Sequence, residues 1–137
     1  MEAVLESLVT GFPILILHFA VTLTMLAIGM TVYLWMTPFP ELKLIREGNI
    51  AAAVSTAGAV ISLALPLAIA MAVSVNVLDI VVWGSATLVI MLVVYRATDF
   101  LLKDLPNRIE AGEIAPAILL AGIKLGVAAI TAAAVSG

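Results

Sequence analysis

Two side chains in this sequence bring chemistry into otherwise apolar runs: Lys124 and His18. Lys124 lies near the middle of the run from Ile114 to Val135. A lysine at the centre of a membrane helix costs roughly 2.5–3.5 kcal/mol on an insertion scale, and ionisable groups at that depth are functional candidates by default. The surrounding run is rich in Ala and Gly, so it has little surplus hydrophobicity to offset that cost. The lysine must snorkel, lose its proton, face a wet cavity or pair with an acid. Its helical neighbours Ala121, Ala128 and Thr131 are small and leave space beside the ammonium. The chain offers no carboxylate at matching depth, because Asp79 falls at one membrane edge and Asp99 towards the other. Conduction, gating or ligand binding is the functional expectation for Lys124; snorkelling to an interface or to Asp99 is the structural one.

His18 lies about two turns inside the first apolar run, with Thr22, Met25 and Gly29 on the same helical face. It is a candidate proton acceptor or pore-lining group, or else an interhelical hydrogen bond worth ~1 kcal/mol. Pro66 sits in mid-run, where it should kink the helix and free the carbonyl of Ser62 for an ion or a water, or simply shape the bundle. Thr131 shares a helix face with Lys124. Lys124, His18, Pro66 and Thr131 are thus the candidate intramembrane functional residues. Arg96 and Asp99, three apart, are expected to neutralise each other where their helix leaves the bilayer.

Other chemistries find little support. One histidine, no cysteine, no paired carboxylates at membrane depth and no phosphate-binding glycine loop argue against an enzyme, a cofactor or a metal centre. There is no basic patch for nucleic acid. Without cysteine there is no disulfide framework. The acidic start Met1-Glu2-Ala3-Val4-Leu5-Glu6 argues against a cleaved signal peptide.

The elements that must position these residues are membrane helices. The chain has 137 residues, 64% hydrophobic and 11% charged, where a soluble domain carries roughly 45–50% and about 25%. Four apolar stretches, near 8–36, 50–75, 80–102 and 114–135, each exceed the ~20 residues that cross a bilayer. The expected fold is therefore an all-α membrane protein with four transmembrane helices in one integral membrane domain, 1–137. Gly11 and Pro13 suit a frayed, interfacial start to the first span. Tyr33, Trp35 and Phe39 form an aromatic group fit for the headgroup zone, and Trp83 is a second anchor. Pro38 and Pro40 end the first helix. Glu41 to Glu47 then suits a short helix on the membrane surface, with Gly48 to break it and Asn49 to cap the next helix. Of the six basic residues, Lys43, Arg46, Arg96, Lys103 and Arg108 gather on the two loops at one end. The positive-inside tendency makes those loops cytoplasmic and places both termini outside.

The chain also repeats itself. Arg46-Glu47-Gly48-Asn49-Ile50-Ala51-Ala52-Ala53 is echoed sixty-four positions later by Glu110-Ala111-Gly112-Glu113-Ile114-Ala115-Pro116-Ala117. Ten of the twenty-six pairs from Ile45 to Ala70 at that offset are identical. Two helical-hairpin repeats, about 8–75 and about 79–135, would enter the membrane in the same orientation, parallel repeats around an axis along its normal. Gly58-x-x-x-Ser62 and Gly122-x-x-x-Gly126 fall at corresponding heights as helix-packing pairs. Lys124 breaks the symmetry, its counterpart being Val60.

Thr37-Pro38, Glu41, the run Leu44 to Ala53 and Leu63-Ala64-Leu65-Pro66-Leu67-Ala68 together resemble the YjfL-like bacterial family, domain of unknown function three-fifty. The similarity continues through Asp79, Trp83-Gly84 and Ile109 to Ala121, and its most specific piece is Gly48-Asn49-Ile50-Ala51-Ala52-Ala53. The resemblance implies a multi-pass inner-membrane protein with four spans in two paired repeats, sometimes encoded beside spermidine-synthase-like or envelope-stress genes. It supplies no catalytic residues. It also implies a small residue where Lys124 stands and an Asn near Thr131, two departures on one helix face.

Two functions compete on this reading. One is a homo-oligomer that conducts or senses a small ion or solute, since four short helices enclose little volume alone. The other is a non-transporting scaffold, linked to envelope stress, that docks a soluble cytoplasmic partner through its charged loops. The lipid bilayer is a partner in both.

Overall fold

The computed structural model describes residues 1–137 as six helices: α1 Glu2–Met36, α2 Glu41–Arg46, α3 Ile50–Val73, α4 Val77–Leu101, α5 Asp104–Glu110 and α6 Ile114–Ser136. The four long ones, α1, α3, α4 and α6, are each long and apolar enough to cross a membrane. This is an all-α membrane protein.

The helix ends follow from local chemistry. Thr37 closes α1 by donating its hydroxyl to the Tyr33 carbonyl at 2.8 Å, and Pro38 and Pro40 cannot continue it. Gly48 adopts φ +88 and Gly112 φ +92, a left-handed conformation that strains any residue with a Cβ. Each reverses the chain after a short helix. Asn49 caps α3 by accepting the Ala52 N–H at 3.0 Å. Its amide also donates to the carbonyls of Ile109 at 3.3 Å and Glu110 at 3.1 Å, which ties the two short-helix loops together. Asn76 caps α4 by accepting the Asp79 N–H at 3.0 Å.

One expectation fails at the start of the chain. Gly11 and Pro13 do not begin the first helix; α1 runs unbroken from Glu2 with Pro13 inside it. A proline deletes one rung of the hydrogen-bond ladder, and the apolar turns on either side continue. At about 1.5 Å per residue α1 spans roughly 52 Å, more than a ~30 Å hydrocarbon core. Its first half is largely exposed, including Leu8, Phe12 and Leu15.

Packing is closest where glycines admit a neighbour. α1 and α4 run parallel: a Cβ on Gly29 would stand 2.7 Å from a Leu88 methyl, and one on Gly84 2.7 Å from the Met25 methyl. α3 and α6 also run parallel, with Gly58 against Ala121; a Cβ there would meet the Ala121 Cβ at 2.6 Å and Cα at 2.9 Å. Met25, Leu63, Leu67, Ile80, Leu88 and Met91 fill the core between these pairs. A second cluster, including Phe39, Leu105, Ile109 and Leu120, sits under α2 and α5 at one end. Both termini lie at the other end.

Gly122 and Gly126 are not part of the α3–α6 seam. Both are exposed, and a Cβ on either would meet nothing within 4 Å. Relative to residues sixty-four positions earlier, α6 is rotated by about one residue, or ~100°. Gly58 is buried and Gly122 exposed; Ala57 is exposed and Ala121 buried. Val60 is 37% exposed while Lys124 is 2% exposed. That rotation turns the lysine inward.

Candidate functional site

Lys124 is the eleventh residue of α6, whose N-terminus lies at the α2/α5 end. Helical side chains lean towards the N-terminus, so the lysine stem points to that end and carries its ammonium there. The ammonium arrives between two tyrosines. It lies 4.7 Å from the centroid of the Tyr33 ring and 4.9 Å from that of Tyr95, each within reach of a cation–π attraction. The rings meet edge to face, 5.6 Å apart at 81°. Lys124 Nζ also donates to Tyr33 Oη at 3.2 Å.

Tyr33 passes the contact on. Its hydroxyl donates to Glu41 Oε1 at 2.7 Å, while Glu41 Oε2 accepts the Thr56 hydroxyl of α3 at 2.7 Å. Glu41 is the first residue of α2 and only 2% exposed. The turn through Pro38 and Pro40 folds α2 back so that its first side chain enters the bundle. Burial pushes the Glu41 carboxyl above its ordinary pKa, with a smaller push from Asp99; the Tyr33 and Thr56 hydrogen bonds and the charge of Lys124 pull the other way. Tyr95 completes the cluster through a hydrogen bond to the Ser62 hydroxyl.

A small cavity lies among these groups, lined by Tyr33, Glu41, Ser55, Asp99, Pro106 and Lys124 among others. Its volume of about 10 Å³ is near the ~10–15 Å³ that one water needs. The Ser55 hydroxyl, 1% exposed, has no hydrogen-bond partner there. The arrangement can hold or move a proton among an ammonium, a phenol and a carboxyl. It can also register charge, because changing any one of the three unbalances the others in a low-dielectric setting.

The sequence-derived candidates divide sharply. Lys124 is central, and the expectation that no acid reaches its depth is overturned by Glu41, which belongs to the short helix rather than to a span. That helix does not simply lie on the surface. Thr131 is buried on the same helix but outside the network, donating to the Val127 carbonyl at 2.8 Å beside the Met91 sulfur at 3.4 Å. Pro66 is buried in an unbroken α3, beside Leu63 and Leu67. His18 lies in the terminal half of α1, in a groove lined by Gly11, Ile14, Leu15, Phe19, Met71 and Ala72. Its expected polar face separates: Met25 and Gly29 pack against α4, and Thr22 lines an apolar cavity with its hydroxyl unpartnered.

Arg96 and Asp99 do not pair either. Arg96 donates to the Met36 carbonyl at 3.4 Å, and the ion pair of the chain is Arg108–Glu113 at 3.0 Å, half exposed. The aromatic headgroup set shrinks to Trp35, 88% exposed, because Tyr33 and Phe39 are buried at 2% and 6%. The sequence pattern does not single out Tyr33, Glu41, Tyr95, Ser55 and Thr56 as site residues. The available signal was polar groups in excess of need: Ser55 and Thr56 adjacent in an alanine-rich helix, and an acid placed directly after a Pro-x-Pro turn.

Comparison with known proteins finds one family and two similar proteins. The model of the family described as Domain of Unknown Function (DUF350) matches residues 7–135. The chain is similar to the UPF0719 inner membrane protein YjfL of Escherichia coli strain K12, 29% identical over 113 residues that make up 82% of each chain. The protein of the same name from Escherichia coli O157:H7 gives the same figures. No solved structure matches.

Proposed function

The chain belongs to the DUF350 family, and from that premise we propose that it is a multi-pass inner-membrane sensor of protons or small ions, without enzymatic activity, working as a homo-oligomer. One observation carries this reading: the chain of contacts from Lys124 Nζ through Tyr33 Oη to Glu41. Glu41 belongs to α2, so the charge balance of the buried cluster is mechanically joined to a helix at the membrane edge. Because burial raises the Glu41 pKa, a proton on Glu41 favours the docked helix. Losing that proton as pH rises, or losing the Lys124 proton, leaves a buried uncompensated carboxylate that favours release of α2.

Sensing is favoured over conduction by what lies beyond the lysine. Between Lys124 and the terminal end, the bundle is filled mainly by Met25, Leu63, Leu67, Ile80 and other apolar core residues. The buried Thr87 and Thr131 hydroxyls there donate to carbonyls of their own helices, and no buried charged side chain continues the path. The duplication into two parallel hairpins is supported by the parallel α1/α4 and α3/α6 pairs and by left-handed glycines sixty-four positions apart, Gly48 and Gly112. An oligomer is supported by the largely exposed, apolar first half of α1 and by Gly122 and Gly126, whose open faces admit a close neighbour. The inner-membrane location follows the name of the Escherichia coli relative, and the basic loops would lie on the cytoplasmic side.

The second reading, a scaffold that docks a soluble partner, draws on Lys43, Arg46 and the Arg108–Glu113 pair, all exposed at the loop end. Reconstitution into liposomes distinguishes the readings. The sensor predicts no ion flux, together with a labelling rate at a Lys43→Cys site that changes with pH and loses that dependence in Lys124→Met. Flux abolished by Lys124→Ala would replace sensing by conduction. Labelling indifferent to pH, with no flux, would leave the scaffold.

A further inference from the structure

Two cavities outside the Lys124 cluster share one side chain. The first is a polar cleft of about 260 Å³ where the end of α4, the start of α5 and the α1–α2 turn meet, lined by Arg96, Asp99, Phe100, Lys103 and Asn107 with prolines at its sides. The second is an apolar groove of about 670 Å³ running between α1 and α4, lined by Val32, Trp35, Val89, Leu92 and Val93 among others. Arg96 lines both and marks the junction. A guanidinium has five N–H donors, and only one contact, to the Met36 carbonyl, engages it. Lys103 is exposed, with its ammonium 4.5 Å over the Phe100 ring.

We infer that this composite site binds one phospholipid with an ethanolamine-type head group. The phosphodiester sits at Arg96 and Lys103, an acyl chain follows the α1–α4 groove, and the head-group ammonium faces Asp99. The charge pattern selects this occupant. A fatty acid would satisfy Arg96 and the groove but leave Asp99 beside a second carboxylate. A free phosphate would use the cleft and leave the groove idle. A phosphatidylglycerol-type lipid would offer Asp99 only hydroxyls. Basic pockets at helix ends are where membrane proteins hold lipid head groups, and Trp35, 88% exposed, suits the interfacial level of the glycerol. Asp99 and Pro106 also line the Lys124 cavity, so the head group lies one side chain away from the buried cluster.

The test is native mass spectrometry of the delipidated full chain in detergent, titrated with phosphatidylethanolamine, phosphatidylglycerol or free phosphoethanolamine. Wild type should retain one phosphatidylethanolamine per protomer, in preference to the other two. Arg96→Gln with Lys103→Gln should weaken retention by about tenfold or more, as expected for loss of charge-assisted bonds to phosphate. Arg96→Lys should recover part of it, and Asp99→Asn should erase the preference over phosphatidylglycerol. All three positions lie at the edge of the fold, and circular dichroism verifies helicity in each variant. Equal retention by the Gln double variant, no preference among lipids in wild type, or equal binding of free phosphoethanolamine would each overturn the assignment.

Discussion

The ammonium of Lys124 rests 3.2 Å from the hydroxyl of Tyr33, ninety-one positions earlier in the chain. Tyr33 is at the same time a donor to Glu41 at 2.7 Å. The phenol therefore bridges a buried cation and a buried carboxyl that do not touch directly. Each partner makes the burial of the other tolerable, and removing one leaves a charge uncompensated.

Lys124→Met keeps the volume of the stem and deletes the charge. It should destabilise the protein by about 2–3 kcal/mol, at or just below the usual range for breaking a buried pair. The double variant Lys124→Met/Glu41→Gln should recover a substantial part of that loss. Unfolding in mixed micelles measures both, and strictly additive single effects would mean the two groups are not coupled.

Tyr33→Phe removes the bridging hydroxyl and little else. Loss of a buried hydrogen bond to a carboxylate should cost about 1.5–3 kcal/mol. Because Glu41 starts α2, labelling at a Lys43→Cys site should also accelerate in this variant. A stability loss with unchanged labelling would confine the bond to packing.

Stability should depend on pH through Glu41. Its folded pKa lies above the ordinary value, chiefly because of burial. Below the ordinary value the group is protonated in both folded and unfolded chains and contributes nothing. As pH rises from there through the raised folded pKa, the unfolded chain ionises more easily, so stability falls across that window and then levels off. Glu113, held below its ordinary pKa by Arg108, acts in the opposite sense, adding stability that disappears as pH falls through its folded pKa. Melting temperatures from about pH 4 to about 7 should show the first trend abolished in Glu41→Gln and kept in Glu113→Gln.

The two equivalent glycines should respond in opposite ways. Gly58→Ala forces a methyl against the Ala121 backbone at 2.9 Å and should cost about 1–3 kcal/mol. Gly122→Ala meets open space within the protomer and should be neutral or stabilising by up to ~1 kcal/mol through helix propensity. If Gly122 lines an oligomer contact, cross-linking yield will fall in that variant while protomer stability holds.

Much of this architecture is legible in the sequence itself. Four runs of more than about twenty apolar residues leave a polypeptide few choices in lipid, since unpaired backbone groups are too costly there. The observed helices α3, α4 and α6 begin and end within three residues of the runs near 50–75, 80–102 and 114–135. Gly48 and Asn49 announced their break and cap because only particular residues accept a left-handed φ or supply a short acceptor side chain. Lys124 announced itself through its cost. Tyr33 and Glu41 did not, because a tyrosine near a helix end and an acid in a loop are ordinary at a membrane edge.

Local rules thus decided, from the residues alone, how many long helices form, where they stop and which charge is out of place. What touches that charge was decided only in three dimensions. A rotation of α6 by one residue moved Lys124 inward and Gly122 outward, and a two-proline turn carried Glu41 under the bundle. Neither leaves a periodic trace in the sequence, since helix rotation and turn direction are set by the packing of groups far apart in the chain. Gly58 against Ala121 and Tyr33 against Tyr95 are the contacts that made those choices.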